Sequence, residues 1–437
     1  MKIIHTADLH LGQTLYQHYD RSDEHEHFFK QLENWCKLEH PDALLISGDV
    51  FDIQLPSTGT KKRFNEYFVH LQKMFPEMHV VITAGNHDSA SRIQADHDIW
   101  TFSNTHLIGI APSLTAEEGW QENYIIELPS GFIIAMPHML GDRSLQLQSV
   151  LNRVKDRNVN NKPVVMMGHL AVTGLDPTGH NFEIGKIETQ NVDKLGVGYD
   201  YMALGHIHKP QTIGHSEDCM KESVSYPAPV VRYSGSALHV SCDEQYPHTV
   251  SVVEIDKHGG EVSIRQLRID ELRHFYTIPE DKQSFDSEAE TLEGIRSFCE
   301  DKKKGYFRLK IKYSAEISSN FNQQVYDILA EYDDEVRFNP KIIWDGQPVA
   351  STVASVKPTF EVAELQEMRD PVLFIEKTID QYEGLDISTL KDVFKEVEAE
   401  VTLLREEKQA KTKTKTSKKK ATSEDGDNNS STESEQA

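Results

Sequence analysis

The sequence predicts an α/β fold, a two-sheet sandwich followed by a small α+β domain and C-terminal helices. Three observations carry this. Up to about residue 240 one phrase repeats: a short apolar run, then a Gly, His or Asp cluster, then often a stretch of helical period. Next, two alternating segments flank a glycine pair near residue 259. After Leu272 the texture changes to acidic helical sequence and separate strands. At 437 residues the chain is also too long for one ordinary core.

The apolar runs span residues 2–6, 43–47, 79–83, 164–167 and 201–204, each of a length suited to a buried strand. Ser22 is placed to cap a helix with Asp23 and Glu24 in its first turn, Phe28, Leu32 and Trp35 on one face, and Pro41 beyond its end. A second helix begins near Ser57 and carries Phe64, Phe68, Leu71 and Phe75 before Pro76 stops it. A third starts at Asp88 or Ser89 and runs to about Phe102. These aromatic stripes read first as core. Residues 249–255 and 261–269 around His258-Gly259-Gly260 read as a β-hairpin that extends the second sheet.

A first domain of residues 1–272 is followed by a small domain, 273–350, with an acidic helical stretch, a strand at 307–313, a helix at 321–332 and a strand at 335–343. In residues 351–408, Asp370-Pro371 opens a helix striped with Phe374, Ile375, Ile379 and Tyr382, and a second helix carries Leu390, Phe394, Val397, Val401 and Leu404. Those stripes suit either a partner or the chain's own body. Residues 409–437, with a Lys-rich run and an acidic end, are expected to be disordered, the run being a solvated linker or a nucleic-acid-binding arm.

Lys and Arg number 46 against 70 Asp and Glu, a net charge of −24 that repels a DNA duplex at long range. A nuclease of this charge needs metal ions or local basic patches where it meets DNA. The opening residues hold no apolar segment of secretion-signal length and no run of 18 apolar residues occurs, so the expected setting is cytoplasmic, with no membrane. Cys36, Cys219, Cys242 and Cys299 are widely spaced without a CxxC pair, which argues against a zinc knuckle or a disulfide framework.

Five clusters follow five predicted strands: Asp8-Leu9-His10, Gly48-Asp49-Val50-Phe51-Asp52, Gly85-Asn86-His87-Asp88, Gly168-His169 and Gly205-His206-Ile207-His208. Ligand sites in α/β sheets gather outside the carboxyl ends of strands, so these segments are expected to converge in one cleft. Residues two apart in extended chain point the same way, which pairs Asp8 with His10 and His206 with His208. Glycine before Asp49, His169 and His206 permits a tight turn. Carboxylates, imidazoles and one carboxamide, with no thiolate, suit Mn²⁺, Fe²⁺ or Mg²⁺ rather than structural zinc. Asp49, central in this order, is the candidate to bridge two ions. Such ions, about 3.5–4 Å apart, stabilise both the attacking and the leaving oxygen of an in-line phosphoryl displacement. Singly these clusters are weak signals; in this order, after these strands, they form a signature.

Together they resemble the calcineurin-like metallophosphoesterases. The opening residues 2–12, the run Gly48-Asp-Val-Phe-Asp52, and Ala203-Leu-Gly-His-Ile-His208 with Tyr233-Ser-Gly-Ser236 downstream are similar to one branch, the SbcD nucleases related to double-strand-break repair nucleases. The resemblance implies that Asp8, His10, Asp49 and His208 hold one metal ion and that Asp49, Asn86, His169 and His206 hold the other. It makes His87 catalytic and gives Asp88 the task of orienting it. Where some members carry His, this chain has Asp52, whose role stays open between substrate handling and a turn cap. The resemblance further implies DNA as substrate, 3′-to-5′ exonuclease and endonuclease activity, a small domain that caps the site, a homodimer through helices near residues 57–102, and C-terminal helices that bind an SbcC-like SMC-type ATPase.

Two rivals remain. A nucleotide or cyclic-nucleotide phosphodiesterase of the same fold fits the acidic charge but leaves the long extension past residue 272 without a use. A non-catalytic adaptor would be expected to have lost ligands, whereas every ligand position is filled.

Overall fold

The computed structural model describes residues 1–346, except residue 17 and residues 114–117, 179–188, 216–220, 281–282, 302–303 and 333–334. The expected helices within residues 351–408, the tail 409–437 and Cys219 lie outside the described residues.

Two sheets face each other. The first has seven strands in the order Ser223–Pro227, Glu261–Arg268, Thr249–Ile255, Lys2–Thr6, Ala43–Ser47, His79–Thr83 and Thr105–Ile108. The last four run parallel, with Ile3 opposite Ala43 and Leu44 opposite Val80. The second has six, in the order Gln211–Thr212, Val230–Tyr233, Tyr201–Gly205, Val164–His169, Gly131–Ala135 and Ile125–Leu128. Strand alternation divides the first sheet's side chains between two cores. Ile3, Ala43, Leu45 and Val81 enter the inter-sheet core with Phe132, Met166 and Tyr201. Ile4, Leu44, Ile46, Val80 and Ile82 instead pack with Phe28, Leu32, Phe64, Phe68 and Leu71 of the covering helices. Burial on both faces explains why these strands read as unbroken apolar runs.

The hairpin expected in the second sheet joins the first, antiparallel to Lys2–Thr6, with Ile4 opposite Val252. Its alternation correctly gave a buried face, since Val253, Ile255, Val262 and Ile264 all line the inter-sheet core, but the period says nothing about which sheet supplies the edge. The first helix is Ser22–Glu39; Ser22 is its first residue rather than its cap, and Asp20 Oδ1 takes the Ser22 N–H at 2.9 Å. The second is Thr58–Met74, capped by Ser57, whose hydroxyl accepts from the Thr60 N–H at 3.0 Å. The expected third helix is broken into Ala90–Ala95 and His97–Trp100, with a 3₁₀ turn at Thr101–Ser103. The break falls at Asp96, which Lys61 holds at 2.5 Å, and it seats the buried Trp100 against Phe64 with ring centroids 6.4 Å apart.

Residues 274–345 add a three-stranded parallel sheet, His274–Ile278, Gly305–Lys312 and Val336–Asp345, covered by the helices Glu288–Glu300 and Phe321–Leu329. It has its own core of Ile295, Phe298, Phe307, Leu309, Val325 and Phe338. A polar seam joins it to the first helix: Tyr306 donates to Glu24 Oε1 at 2.6 Å, and Arg337 Nη1 donates to the Asp20 carbonyl at 3.1 Å. Among the described residues no helix is long and apolar enough to cross a membrane.

Candidate metal centre

The carboxyl ends of strands from both sheets deliver the predicted clusters to one place. The loop after Lys2–Thr6 is stitched to the loop after Ala43–Ser47: Asp8 N–H donates to the Gly48 carbonyl at 3.1 Å, His10 N–H to Asp49 at 3.0 Å and Leu11 N–H to Val50 at 2.9 Å. This stitching forces unusual backbone. Asp8, His10, Asp49 and His206 have φ of 52°, 45°, 47° and 93°, conformations that L residues rarely adopt and that cluster at functional sites. Gly48 is required twice, by its φ of +84° and because a Cβ there would lie 2.1 Å from His169 Nδ1. At Gly205 the requirement differs from the turn that the sequence suggested. The backbone is extended, and a Cβ would lie 1.9 Å from the Ser47 carbonyl oxygen, so the constraint is close approach of the two sheets.

Two groups of side chains that could each hold a metal ion result. Asp8, His10 and His208, all buried, bring ligand atoms within 4.8 Å of one another, as do Asp49, His169 and His206. Asn86 completes the second set, with Oδ1 2.9 Å from His169 Nε2 and 3.0 Å from His206 Nδ1. Asp49 Oδ2 lies 3.2 Å from His169 Nε2, while its Oδ1 accepts the His87 N–H at 2.8 Å. Tautomers are set from outside. His169 Nδ1 donates to the Ser47 carbonyl at 2.9 Å and His208 Nδ1 to Glu244 Oε1 at 2.8 Å, so each offers Nε2 to the centre.

The charges of this cluster ask for a cation. Asp8 is fully buried, and burial raises its pKa despite the imidazoles of His169, His208 and His10. Burial pushes Asp49 the same way, but His169 at contact distance outweighs it and holds the carboxyl well below the usual range. For His169 burial works downward, and Asp49 and Asp8 overcome it to give about 9. His208 falls to about 4, burial exceeding the pull of Asp8. His10 is raised, Asp52, Asp49 and Asp8 together exceeding burial, yet its buried Nε2 has no hydrogen-bond partner among the described residues. Buried carboxylates packed among imidazoles, with Nε2 of His10 lacking a hydrogen-bond partner among the described residues, fit divalent cations that would displace the imidazole protons.

Residues 1–210 match the family profile of calcineurin-like phosphoesterases. That region, a little under half of the chain, is similar to this family. Three SbcD proteins, each a component of the nuclease SbcCD, are similar to the chain. The one from Escherichia coli K12 is 30% identical over 275 residues, 57% of this chain and 65% of that protein. The one from Bacillus subtilis strain 168 is 28% identical, covering 61% and 69%, and that of Staphylococcus saprophyticus is 25% identical, covering 78% and 87%. The chain thus matches just under two thirds of the length of the Escherichia coli relative. A solved dimetal phosphatase from Danio rerio aligns at 10% identity with a TM-score of 0.33, over 62% of this chain and 99% of its own, a likeness too slight to bear on the site.

Three more residues stand around this cluster. His87 is exposed, and its Nδ1 donates to the Asp52 carbonyl at 2.8 Å. Asp88, expected to orient that ring, does something else. It is buried, and its carboxylate accepts three backbone N–H groups, from Gly85 at 2.8 Å, Phe51 at 2.9 Å and Val50 at 3.0 Å. It therefore braces the loops that carry Asp49 and Asn86. Burial, then the charge of Asp49, raises its pKa. The Asp52 side chain faces the cluster: Oδ1 lies 3.3 Å from His10 Nδ1.

Two residues of this shell escaped the sequence reading. Glu244, 2% exposed, had no flag, lying in a loop without an adjoining apolar run. His138 did carry one. It follows the Gly131–Ala135 strand as the other clusters follow theirs, and its Nδ1 donates to the His169 carbonyl at 2.9 Å.

Proposed function

We propose that the chain is a metal-dependent phosphodiesterase that cuts DNA, with Asp8, His10, Asp49 and His208 holding one divalent ion and Asp49, Asn86, His169 and His206 the other. The convergence of seven ligand side chains from five strand ends, with the exposed His87 beside them, is the observation that carries this reading. Asp49, whose Oδ1 takes the His87 N–H, would be shared between the two ions. Mn²⁺ suits the mixed donor set best, with Mg²⁺ or Fe²⁺ able to replace it. When bound, such ions would activate water and neutralise charge on the phosphate.

The protein's own groups supply the rest. His87 keeps a proton at Nδ1 through the Asp52 carbonyl and can deliver another from Nε2 to the departing sugar oxygen. Asp88 keeps the two metal-bearing loops in register through its three backbone bonds. Similarity to subunits of the nuclease SbcCD supports nuclease action and an SbcC-like partner; exonuclease and endonuclease action on duplex ends and hairpins, and an ATPase engaged through residues 351–408, belong to the same reading. Homodimerisation through residues 57–102 is supported by apolar side chains left exposed there, with Ile99 at 72% and Phe102 at 94%.

The net charge of −24 favours a rival, hydrolysis of small nucleotides. Competition decides between them. With Mn²⁺ and a chromogenic phosphodiester reporter, duplex DNA should inhibit at concentrations where mononucleotides do not; the reverse order would make the chain a nucleotide phosphodiesterase.

A further inference from the structure

The loop of residues 240–245 is gripped from two sides. At Glu244, Oε1 takes the Nδ1–H of His208 at 2.8 Å, while Oε2 takes the Val240 N–H at 3.0 Å and stands 3.4 Å from His248 Nε2. One and two residues earlier the same loop meets the small domain. Arg308 Nη1 donates to Asp243 Oδ1 at 2.5 Å and lies 3.5 Å from Cys242 Sγ, and Asn339 Nδ2 donates to that sulfur at 3.0 Å. Arg308 and Asn339 are direct cross-strand partners, at the edge of a register shift between Arg308 and Lys310, so neighbouring strands of one sheet present both. The seam is shielded: Asn339 is 2% and Cys242 7% exposed.

Within the loop there is little slack. Asp243 N–H donates to Ser241 Oγ at 3.3 Å, Glu244 N–H to the Ser241 carbonyl at 3.2 Å and Gln245 N–H to the Asp243 carbonyl at 3.0 Å. Consecutive Cα atoms are held about 3.8 Å apart and these three bonds restrain the dihedrals between them, so a shift imposed at Asp243 is passed on to Glu244. Glu244 in turn fixes the ring orientation and basicity of His208, as carboxylates behind ligand histidines do.

We infer that the 240–245 loop is a lever by which the small domain sets the metal-holding geometry of His208, with Glu244 as the positioning residue and the Arg308–Asp243 pair as the point of attachment. This rests on the metal centre proposed above. It gives the small domain a task at the site: a force on its sheet, from DNA or a partner, retunes the Asp8, His10 and His208 pocket.

Mn²⁺ binding by the full chain, stripped of metal and titrated by calorimetry with free Mn²⁺ followed by electron paramagnetic resonance, tests the lever without reference to turnover. Glu244→Gln keeps an acceptor for His208 but loses the charge, and is expected to weaken one of two Mn²⁺ sites about 10- to 100-fold. Arg308→Met and Asp243→Asn should each weaken that same site several-fold. The double variant should be no weaker than either single one, because both cut one link. Arg296→Met, which breaks an exposed pair with Glu331 elsewhere in the small domain, should bind as wild type. Variants of Arg308 and Asp243 that melt earlier yet keep wild-type Mn²⁺ affinity would reduce the loop to a structural pin and overturn the lever. Should Glu244→Gln fail to fold, Asp243→Asn, at a site 38% exposed, still decides the matter. A wild-type chain that takes up no Mn²⁺ overturns the metal reading and the lever together, whereas two bound ions unaffected by any variant sink the lever alone.

Discussion

Replacing Asp88 with Asn separates bracing from direct catalysis. In the native chain Oδ2 accepts from Val50 and Gly85 and Oδ1 from Phe51, all in a buried setting. The amide can keep its oxygen at the Oδ2 position, which preserves two bonds. Its NH₂ then faces the Phe51 N–H, donor against donor. One charge-assisted bond is lost and one buried donor is stranded, a cost of about 2–4 kcal/mol. Asp88→Ala strands all three donors and should cost about 3–6 kcal/mol. Because the braced loops carry Asp49 and Asn86, Mn²⁺ affinity should fall in step with stability. Urea unfolding followed by circular dichroism, paired with Mn²⁺ titration, measures both. An Asn variant as stable as wild type, with wild-type Mn²⁺ affinity and only its turnover reduced, would refute the bracing account and return Asp88 to the His87 ring.

His169 makes metal loading pH-dependent. Its folded pKa, about 9, lies above the ordinary 6.5, so the protonated ring stabilises the metal-free chain fully below pH 6.5 and that contribution is lost as pH rises through 9. An incoming ion must displace this proton, and Mn²⁺ affinity should climb by up to about tenfold per pH unit between those values; calorimetry in two buffers counts the protons, and a flat affinity across the window would remove the proton from the site. Gly205→Ala places a Cβ 1.9 Å from the Ser47 carbonyl and 2.9 Å from His169 Nδ1, and should cost about 3 kcal/mol or more together with metal binding. A mild loss in a denaturant titration would mean the sheets can part there at little expense. His87→Ala should leave Mn²⁺ affinity within about threefold of wild type while kcat falls roughly 10²- to 10⁴-fold. Loss of metal affinity instead would make His87 a ligand beside His10 and Asp52, with which its ring nitrogens cluster.

The strands were legible because burial on both faces writes them as short apolar runs, and chain polarity then told where their trailing residues would gather. Seven ligand candidates spread from Asp8 to His208 were found this way. What the pattern could not give was partnership. Alternation placed the hairpin's apolar face inward without saying that Val252 would pair with Ile4. The helix after Ser89 had helical spacing throughout, yet the Lys61–Asp96 contact and the seat for Trp100 break it. The resemblance set Asp88 to orient the adjoining His87 ring, but three backbone donors, Val50 and Phe51 of the Asp49 loop and Gly85 of its own, claim its oxygens. Glu244 lay hidden for the same reason, since a carboxylate behind a ligand is recognisable only once the ligand's other nitrogen is placed.

Cutting of end-labelled duplex DNA by the purified chain with Mn²⁺, comparing wild type with Asp49→Ala and His87→Ala, tests the central claim most directly. The account predicts Mn²⁺-dependent cleavage that chelator abolishes and that both substitutions suppress, Asp49→Ala with loss of bound metal and His87→Ala without it. Cleavage that persists in Asp49→Ala, or that proceeds equally well in chelator, would contradict it.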